Sequence, residues 1–374
     1  MKVMVVAPVD PFASVASGVR IYTMNLISHM IKNNVTPILL GVSSSRSIKN
    51  ELNFKLVPII NKNTSGYRYL FWLFIKAIFL KIDVDTVIHA QRSDYLLPFI
   101  LLHKNNPKIC TLHGTHIKNI YLKKGWIIGS IYEQLEKYVF RHADKIIMIS
   151  SETQLYYFEK YPFLQNKSVV IPNGVNIEIF KITNKNNSII KRYGVSNRDK
   201  VLLYVGRLEK EKRVDNIIKI FWHIKNTLPD SKLVIVGDGR EKKLLQNLVR
   251  DMKLKGVIFI ENLRYEEVPK IMNCADLLIM YSIHEGMPTV VLEALACGLP
   301  VVSTKVGDLN NIITTETGHI FKTTDIKEIG NIILDILTGK KISKISCVNT
   351  AKKYSWDEIS KQIREIYYEV LEKK

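Results

Sequence analysis

"HEGMPTVVLEALACGLPVVST" occupies His284–Thr304, and its reading decides how the second half of the chain folds. Gly286 and Pro288 make an entry turn, Thr289-Val290-Val291-Leu292 begins an apolar run, and Gly298-Leu299-Pro300 ends it. Val301-Val302-Ser303 then reads as a short buried strand. A helix so placed offers free N–H groups and a positive dipole end near Glu285 to Thr289, where a phosphate fits. A core helix needs no glutamate before its start. Yet Glu285 stands there, and Glu293 lies about one turn inside. The arrangement suggests a nucleotide whose diphosphate is gripped by backbone and whose flanking hydroxyls are gripped by carboxylates.

Working outward, short apolar runs alternate with amphipathic segments along the whole chain. Strand-like runs occupy 3–8, 37–42, 85–90, 108–114 and 145–150, with helix-like stretches such as Ile21–Ile31, Tyr67–Leu80 and Ile131–Arg141 between them. This alternation predicts a parallel sheet covered on both faces. The pattern restarts after the polar interval Thr183–Lys200, with strand-like runs at 201–206, 232–237, 257–261, 276–281 and 300–304. The fold class is therefore α/β, with two doubly wound domains joined near 171–180. The expected boundaries are 1–178 and 179–352, followed by a closing helix over 353–374. That helix opens with a capping-box spacing, Ser355 to Glu358, and carries Trp356, Ile359, Ile363, Ile366 and Val370 on one face.

Composition narrows the function classes. At 374 residues two domains are expected, and 47% hydrophobic with 24% charged residues is ordinary for a globular chain. Cys110, Cys274, Cys297 and Cys347 form no C-x-x-C, which argues against a zinc cage or a disulfide framework and fits a reducing cytosol. "MKVMVVAPVDPF" reads as a first strand rather than a secretory signal. The most apolar stretch, Tyr69–Leu80, contains Lys76 and at 12 residues is too short to span a bilayer. Net charge is +19, and residues 1–132 hold 16 Lys and Arg against 5 Asp and Glu. Either biased residue usage or attraction to a polyanion accounts for this. The basic residues are not interleaved with aromatic platforms in any nucleic-acid module, so a membrane surface is favoured over nucleic acid.

Several segments could carry chemistry. In "YVGRLEKEKR", Arg207 and Lys212 follow a strand, where open α/β sheets bind ligands; Arg207 could hold phosphate bidentately and Lys212 as a point charge. A solvated charged turn is the alternative. "VGDGREKKL" gives Gly237-x-Gly239 but has Lys242 at the third glycine position, so a tight turn outweighs a dinucleotide fingerprint. Gly18 sits at a helix entry after the first strand, where its backbone could approach a phosphate or simply make the turn, and His113 ends a strand-like run in "TLHGTH", where a structural role is the alternative. "DVD" at 83–85 has no third acidic ligand nearby, and no metal site is expected.

These segments together resemble the retaining glycosyltransferases of family 4. The resemblance rests on "SGVRIYTMNL", "TLHGTH", "EKYVFRHADKIIMIS", "IPNGVNIEIF", "GRLEKEKR", "VGDGREKKL", the Glu285-x₇-Glu293 segment and the closing "YSW". It implies the GT-B fold: two facing Rossmann-like domains, an inter-domain cleft, and a C-terminal helix returning to the first domain. It implies that Glu293 holds ribose hydroxyls and Glu285 contacts donor-sugar hydroxyls, while backbone at Gly286, Met287, Pro288 and Thr289 holds diphosphate or sugar. Arg207 and Lys212 would neutralise the leaving diphosphate, His113 would sit near the anomeric carbon, and Asn262, Leu263 and Arg264 would border the base. Gly18 would approach the donor. Two positions depart from the family pattern: Ser17-Gly18 replaces a glycine pair, and Arg213 stands where a glycine commonly follows the lysine.

The implied activity is retaining, metal-independent hexosyl transfer without a cofactor. The donor is a nucleoside-diphosphate sugar, with UDP favoured and GDP or ADP open. The acceptor is a glycan or lipid-linked molecule, as in cell-surface polysaccharide or glycolipid synthesis. The basic-aromatic stretch Lys118, Tyr121, Lys123, Lys124 and Trp126 could meet an anionic membrane surface or form a solvated helix end. The expected location is cytoplasmic, including the inner face of the plasma membrane. Rival readings are another GT-B enzyme (an epimerase or phosphorylase), an NAD-dependent oxidoreductase, and a non-catalytic binder of nucleic acid or membrane.

Overall fold

The computed structural model describes residues 1–13, 17–43, 52–61, 66–183, 191–196, 198–261, 263–339 and 342–373, the side chain at 119 excepted. The chain divides into two compact units: Met1–Gly174 together with the stretch from Trp356 onward, and Val175–Ser355.

The first unit holds seven strands: β1 Lys2–Val6, β2 Thr36–Val42, β3 Lys55–Ile60, β4 Val87–Ala90, β5 Lys108–Leu112, β6 Lys145–Met148 and β7 Ser168–Val170. Their order is β3-β2-β1-β4-β5-β6-β7, and every pairing is parallel. Because side chains alternate across a strand, β1 feeds two cores. Val3 and Val5 pack with Tyr22, Leu26 and Ile27, whereas Met4 and Val6 pack with Tyr69, Leu73 and Phe99. Both faces are thus covered by helices, which is why these strands read as near-continuous apolar runs.

The last helix, Trp356–Glu372, buries Trp356, Ile359, Ile363, Ile366, Tyr367 and Val370, a stripe at three- and four-residue spacing, in the same core as Val3 and Val5. A Cβ on Gly174 would lie 2.7 Å from the Trp356 ring, so this glycine gives the indole room. The Tyr367 hydroxyl lies 2.7 Å from Nδ1 of the buried His89.

The second unit holds β8 Lys200–Val205, β9 Ser231–Val236, β10 Val257–Ile260, β11 Leu277–Met280, β12 Val301–Thr304 and β13 Gly318–Phe321. They form a parallel sheet in the order β10-β9-β8-β11-β12-β13.

Three strands were absent from the apolar-run reading. β3 contains Pro58, while β7 and β13 are short and only partly buried. The helix expected over Ile131–Arg141 begins at His116, and a break at Gly125 (φ 82°) conceals its first part from periodicity.

Candidate functional site

In the second sheet the strand order reverses between β8 and β11, which are neighbours. Ligands of open α/β sheets bind outside the carboxyl ends of the strands at such a point. The loop after β8 carries Arg207 and Lys212, and the loop after β11 carries Glu285 to Pro288, with Thr289 opening the helix that follows. The topology therefore brings together residues that are about seventy positions apart (Lys212 and Glu285, |i−j| = 73).

Contact between the two loops is direct. Lys212 Nζ donates to Glu285 Oε1, and both side chains are largely buried. The Ser282 hydroxyl donates to the same Glu285 oxygen at 2.9 Å, while the Ser282 carbonyl accepts from Thr304 Oγ1 at 2.8 Å. The Ile283 N–H donates to the Glu211 carbonyl at 2.9 Å, giving a second tie between the loops. Arg207 is exposed, with its guanidinium 3.3 Å from Glu211 Oε1. Beneath it, the buried Tyr204 hydroxyl donates to the Arg207 carbonyl at 2.9 Å. Burial, followed by the nearby Glu285 charge, raises the Tyr204 pKa and keeps the phenol neutral.

Arg213, the position where the family favours glycine, has φ 46° and ψ 44°. This left-handed conformation is what a glycine adopts at least cost. The arginine holds it with its guanidinium 3.0 and 3.1 Å from the Asp215 carboxylate.

Helix Thr289–Ala296 begins at an extended Pro288 with no side-chain hydrogen bond at its N-cap. Its first turn follows directly on the loop that holds Glu285, Gly286 and the buried Met287. A Cβ on Gly307 would sit 2.1 Å from the Gly286 carbonyl oxygen, so the loop after β12 packs closely on this backbone. Glu293, in the helix body, is buried and accepts from the Tyr265 hydroxyl at 2.9 Å. Burial pushes the Glu293 pKa up to about 7, and the Tyr265 hydrogen bond opposes the rise in part. Sequence reasoning missed Tyr265; its one signal is its position just after Leu263-Arg264. Asn262 lies outside the described residues. The Arg264 side chain is exposed and 3.4 Å from Glu267.

Gly237 and Gly239 have a packing role. Added Cβ atoms would meet the Gly206 carbonyl at 1.9 Å and the Leu208 carbonyl at 2.3 Å. The G-x-G pair thus lets the loops after β8 and β9 approach each other closely.

In the first unit, Gly18 opens helix Gly18–Lys32, and a Cβ there would meet no atom within 4 Å. His113 follows β5, with Nε2 3.0 Å from Gln91 Oε1 and its ring 4.7 Å from that of Tyr22, edge to face. Burial lowers its pKa to about 4, so it is neutral at physiological pH. Of the basic-aromatic stretch, Tyr121 turns inward and donates to Glu133 at 2.6 Å. Lys118, Lys123, Lys124 and Trp126 are exposed. Among the described residues, no group of three or more His, Cys, Asp or Glu side chains is placed to hold a metal ion.

Two family models match the chain: Glycosyltransferase Family 4 over residues 16–179 and Glycosyl transferases group 1 over residues 185–366. The chain is 27% identical over 302 residues to the UDP-Gal:alpha-D-GlcNAc-diphosphoundecaprenol alpha-1,3-galactosyltransferase of Escherichia coli, covering 79% of this chain and 76% of that protein. It is 27% identical over 274 residues to an uncharacterized glycosyltransferase of Methanocaldococcus jannaschii, covering 69% of this chain and 66% of the relative. Among solved structures, sucrose-phosphate synthase from Thermosynechococcus elongatus superposes with a TM-score of 0.80 at 19% identity, with full coverage of both chains (100%). An Anabaena protein in complex with UDP-glucose gives 0.76 at 17% identity, covering 99% of this chain and 100% of the other. These structural likenesses share the fold.

Proposed function

This chain belongs to the group 1, family 4 glycosyltransferases of GT-B fold, and from that premise we propose that it moves a hexose from a UDP-sugar to a lipid-linked or glycan acceptor at a membrane face, with retention. The observation that carries the reading is the Lys212–Glu285 pair at the point where the second sheet's strand order reverses. It sets a cation and a carboxylate side by side at the start of a helix, as a diphosphate joined to a sugar requires.

In the proposed reaction the anomeric C–O bond breaks and its electron pair goes to the diphosphate oxygen. Lys212 leaves Glu285 to meet that developing charge, with Arg207 and the N–H groups at Gly286 to Thr289 beside it. Glu285 is then free to accept from sugar hydroxyls. Glu293 takes the ribose hydroxyls, with Tyr265 yielding its place on Oε1. The acceptor hydroxyl bonds to the anomeric carbon on the face the diphosphate leaves, and its proton passes to the departing oxygen. The charge on the diphosphate is met by these side chains and backbone groups, without a metal or cofactor. Gly18 and His113 are the first unit's candidates for the donor, and Leu263 and Arg264, with Asn262, are those for the base. UDP is favoured because the Escherichia coli relative's name specifies UDP-Gal, and the lipid-linked acceptor has the same support.

The test is incubation with UDP-sugars and a diphosphopolyprenol-linked N-acetylglucosamine, with the anomeric configuration of the product read by NMR. A product with the donor's configuration supports the reading, and an inverted one contradicts it.

A further inference from the structure

Helix Gly66–Phe79 reads in sequence as a core helix, but its burial is one-sided. Tyr69, Leu73 and Ala77 form the buried stripe, and the Tyr69 hydroxyl donates to the Leu40 carbonyl at 2.6 Å. On the remaining surface Phe71 is 61% and Phe79 78% exposed, with Tyr67, Trp72 and Ile78 also exposed. A second such surface follows on helix His116–His142, where Leu122 is 84% and Trp126 75% exposed and Ile127 and Ile131 accompany them. Single exposed apolar side chains are ordinary, but two sets of this size mark an interaction site. The sets adjoin, because Lys124 Nζ lies 5.9 Å from the centre of the Tyr67 ring.

The charges around these side chains choose the partner. Residues 66–82 contain Arg68, Lys76 and Lys81 and no Asp or Glu; residues 116–132 contain Lys118, Lys123 and Lys124 and again none. Two copies of this chain meeting through these faces would bring like charges together. An anionic lipid surface instead offers acyl chains for the aromatic rings and headgroups for the cations, whose long stems let them reach outward. Among the described residues no helix is long and apolar enough to cross a membrane. The surface would therefore lie on a bilayer without spanning it.

We propose that the exposed faces of helix Gly66–Phe79 and of the Leu122–Ile131 stretch dock the first unit onto an anionic bilayer, with Phe71, Phe79, Leu122 and Trp126 entering the headgroup–acyl boundary. This extends the membrane-side part of the function proposed above and rests on it for the acceptor, but its test does not depend on the acceptor.

The test is co-sedimentation of the full chain with phosphatidylcholine vesicles, with and without phosphatidylglycerol. The expected result is binding that requires phosphatidylglycerol, weakens with salt, and falls about tenfold or more in F71S/F79S and in L122S/W126S. Thermal unfolding with UDP is run on the same variants. These positions are exposed, so the variants should fold and keep the wild-type response to UDP. Wild type that fails to sediment, or variants that sediment as wild type does, overturn the proposal. So does light scattering that shows a dimer abolished by the same substitutions, since the face then binds a second copy. Absence of any UDP response in wild type that still sediments contradicts the proposed function alone and leaves the docking surface standing.

Discussion

Lys212 Nζ and Glu285 Oε1 share a proton-donating contact between the loops after β8 and β11, and the Ser282 hydroxyl completes it at 2.9 Å. Each charge neutralises the other, and the proposed reaction has the donor replace one partner. The two residues should therefore fail in different ways. Lys212→Ala is expected to weaken UDP binding and to lower kcat by about 100- to 1,000-fold, because a cation aimed at the leaving diphosphate is lost. Glu285→Gln should still bind UDP yet lose turnover to a similar degree. Calorimetric titration with UDP alongside steady-state kinetics separates the two.

Glu293 makes stability depend on pH. Its folded pKa of about 7 lies above the ordinary carboxyl range, so the folded state holds the proton more tightly than the unfolded chain. The resulting stabilisation is complete below the unfolded pKa and is lost as pH rises through about 7. The full span is on the order of 3 kcal/mol. Glu136, pushed up to about 8 by burial, contributes with the same sign, so the difference between variants is the informative quantity. Glu293→Gln should gain stability relative to wild type between pH 4.5 and pH 8 in denaturant titrations, those pH values being roughly the limits of the transition. UDP affinity in wild type should rise over the same range, since ribose hydroxyls donate best to the ionised carboxylate. Tyr265→Phe removes the donor on Glu293 Oε1 and should cost about 1–3 kcal/mol near neutral pH.

Arg213 offers a test confined to backbone conformation. Both Arg213→Gly and Arg213→Ala delete the ion pair with Asp215, but only glycine is at ease at φ 46°. The glycine variant should be more stable than the alanine variant by about 1 kcal/mol. Equal midpoints in urea unfolding would show that this turn carries no left-handed cost.

The closing helix supplies core to the first unit, so its apolar stripe should behave as core. Ile359→Ala and Ile363→Ala, both fully buried, should each cost about 2–5 kcal/mol. Tyr367→Phe should cost about 1–3 kcal/mol by leaving His89 Nδ1 without its partner. Chemical unfolding followed by tryptophan fluorescence and circular dichroism reads all three.

What the sequence revealed follows from which interactions are local. The alternation of apolar runs with amphipathic stretches is local, so the two parallel sheets were legible, as was the apolar stripe from Trp356 to Val370. Strands with little burial were not: β3 carries Pro58 and has no fully buried residue, and β13 is buried only at its two ends. Helix Gly66–Phe79 is apolar nearly all round, so its composition matches a core helix and only tertiary contacts reveal which side is bare. At the candidate site, Glu285, Glu293, Arg207 and Lys212 stand out in the sequence only as residue types in a family pattern. The Glu211 carbonyl on Ile283, the Ser282 hydroxyl on Glu285 and Tyr265 on Glu293 were hidden, because each depends on a chain crossing that no local spacing encodes.

The most direct test of the central claim is thermal unfolding of the wild type and of Glu293→Ala with UDP, GDP, ADP, CMP and NAD in turn. A ligand at one hundred times its Kd adds roughly 2.7 kcal/mol, which moves the midpoint by several degrees. The expected result is a rise with UDP that disappears in Glu293→Ala. A rise with NAD alone, or one with UDP that survives in Glu293→Ala, would contradict it.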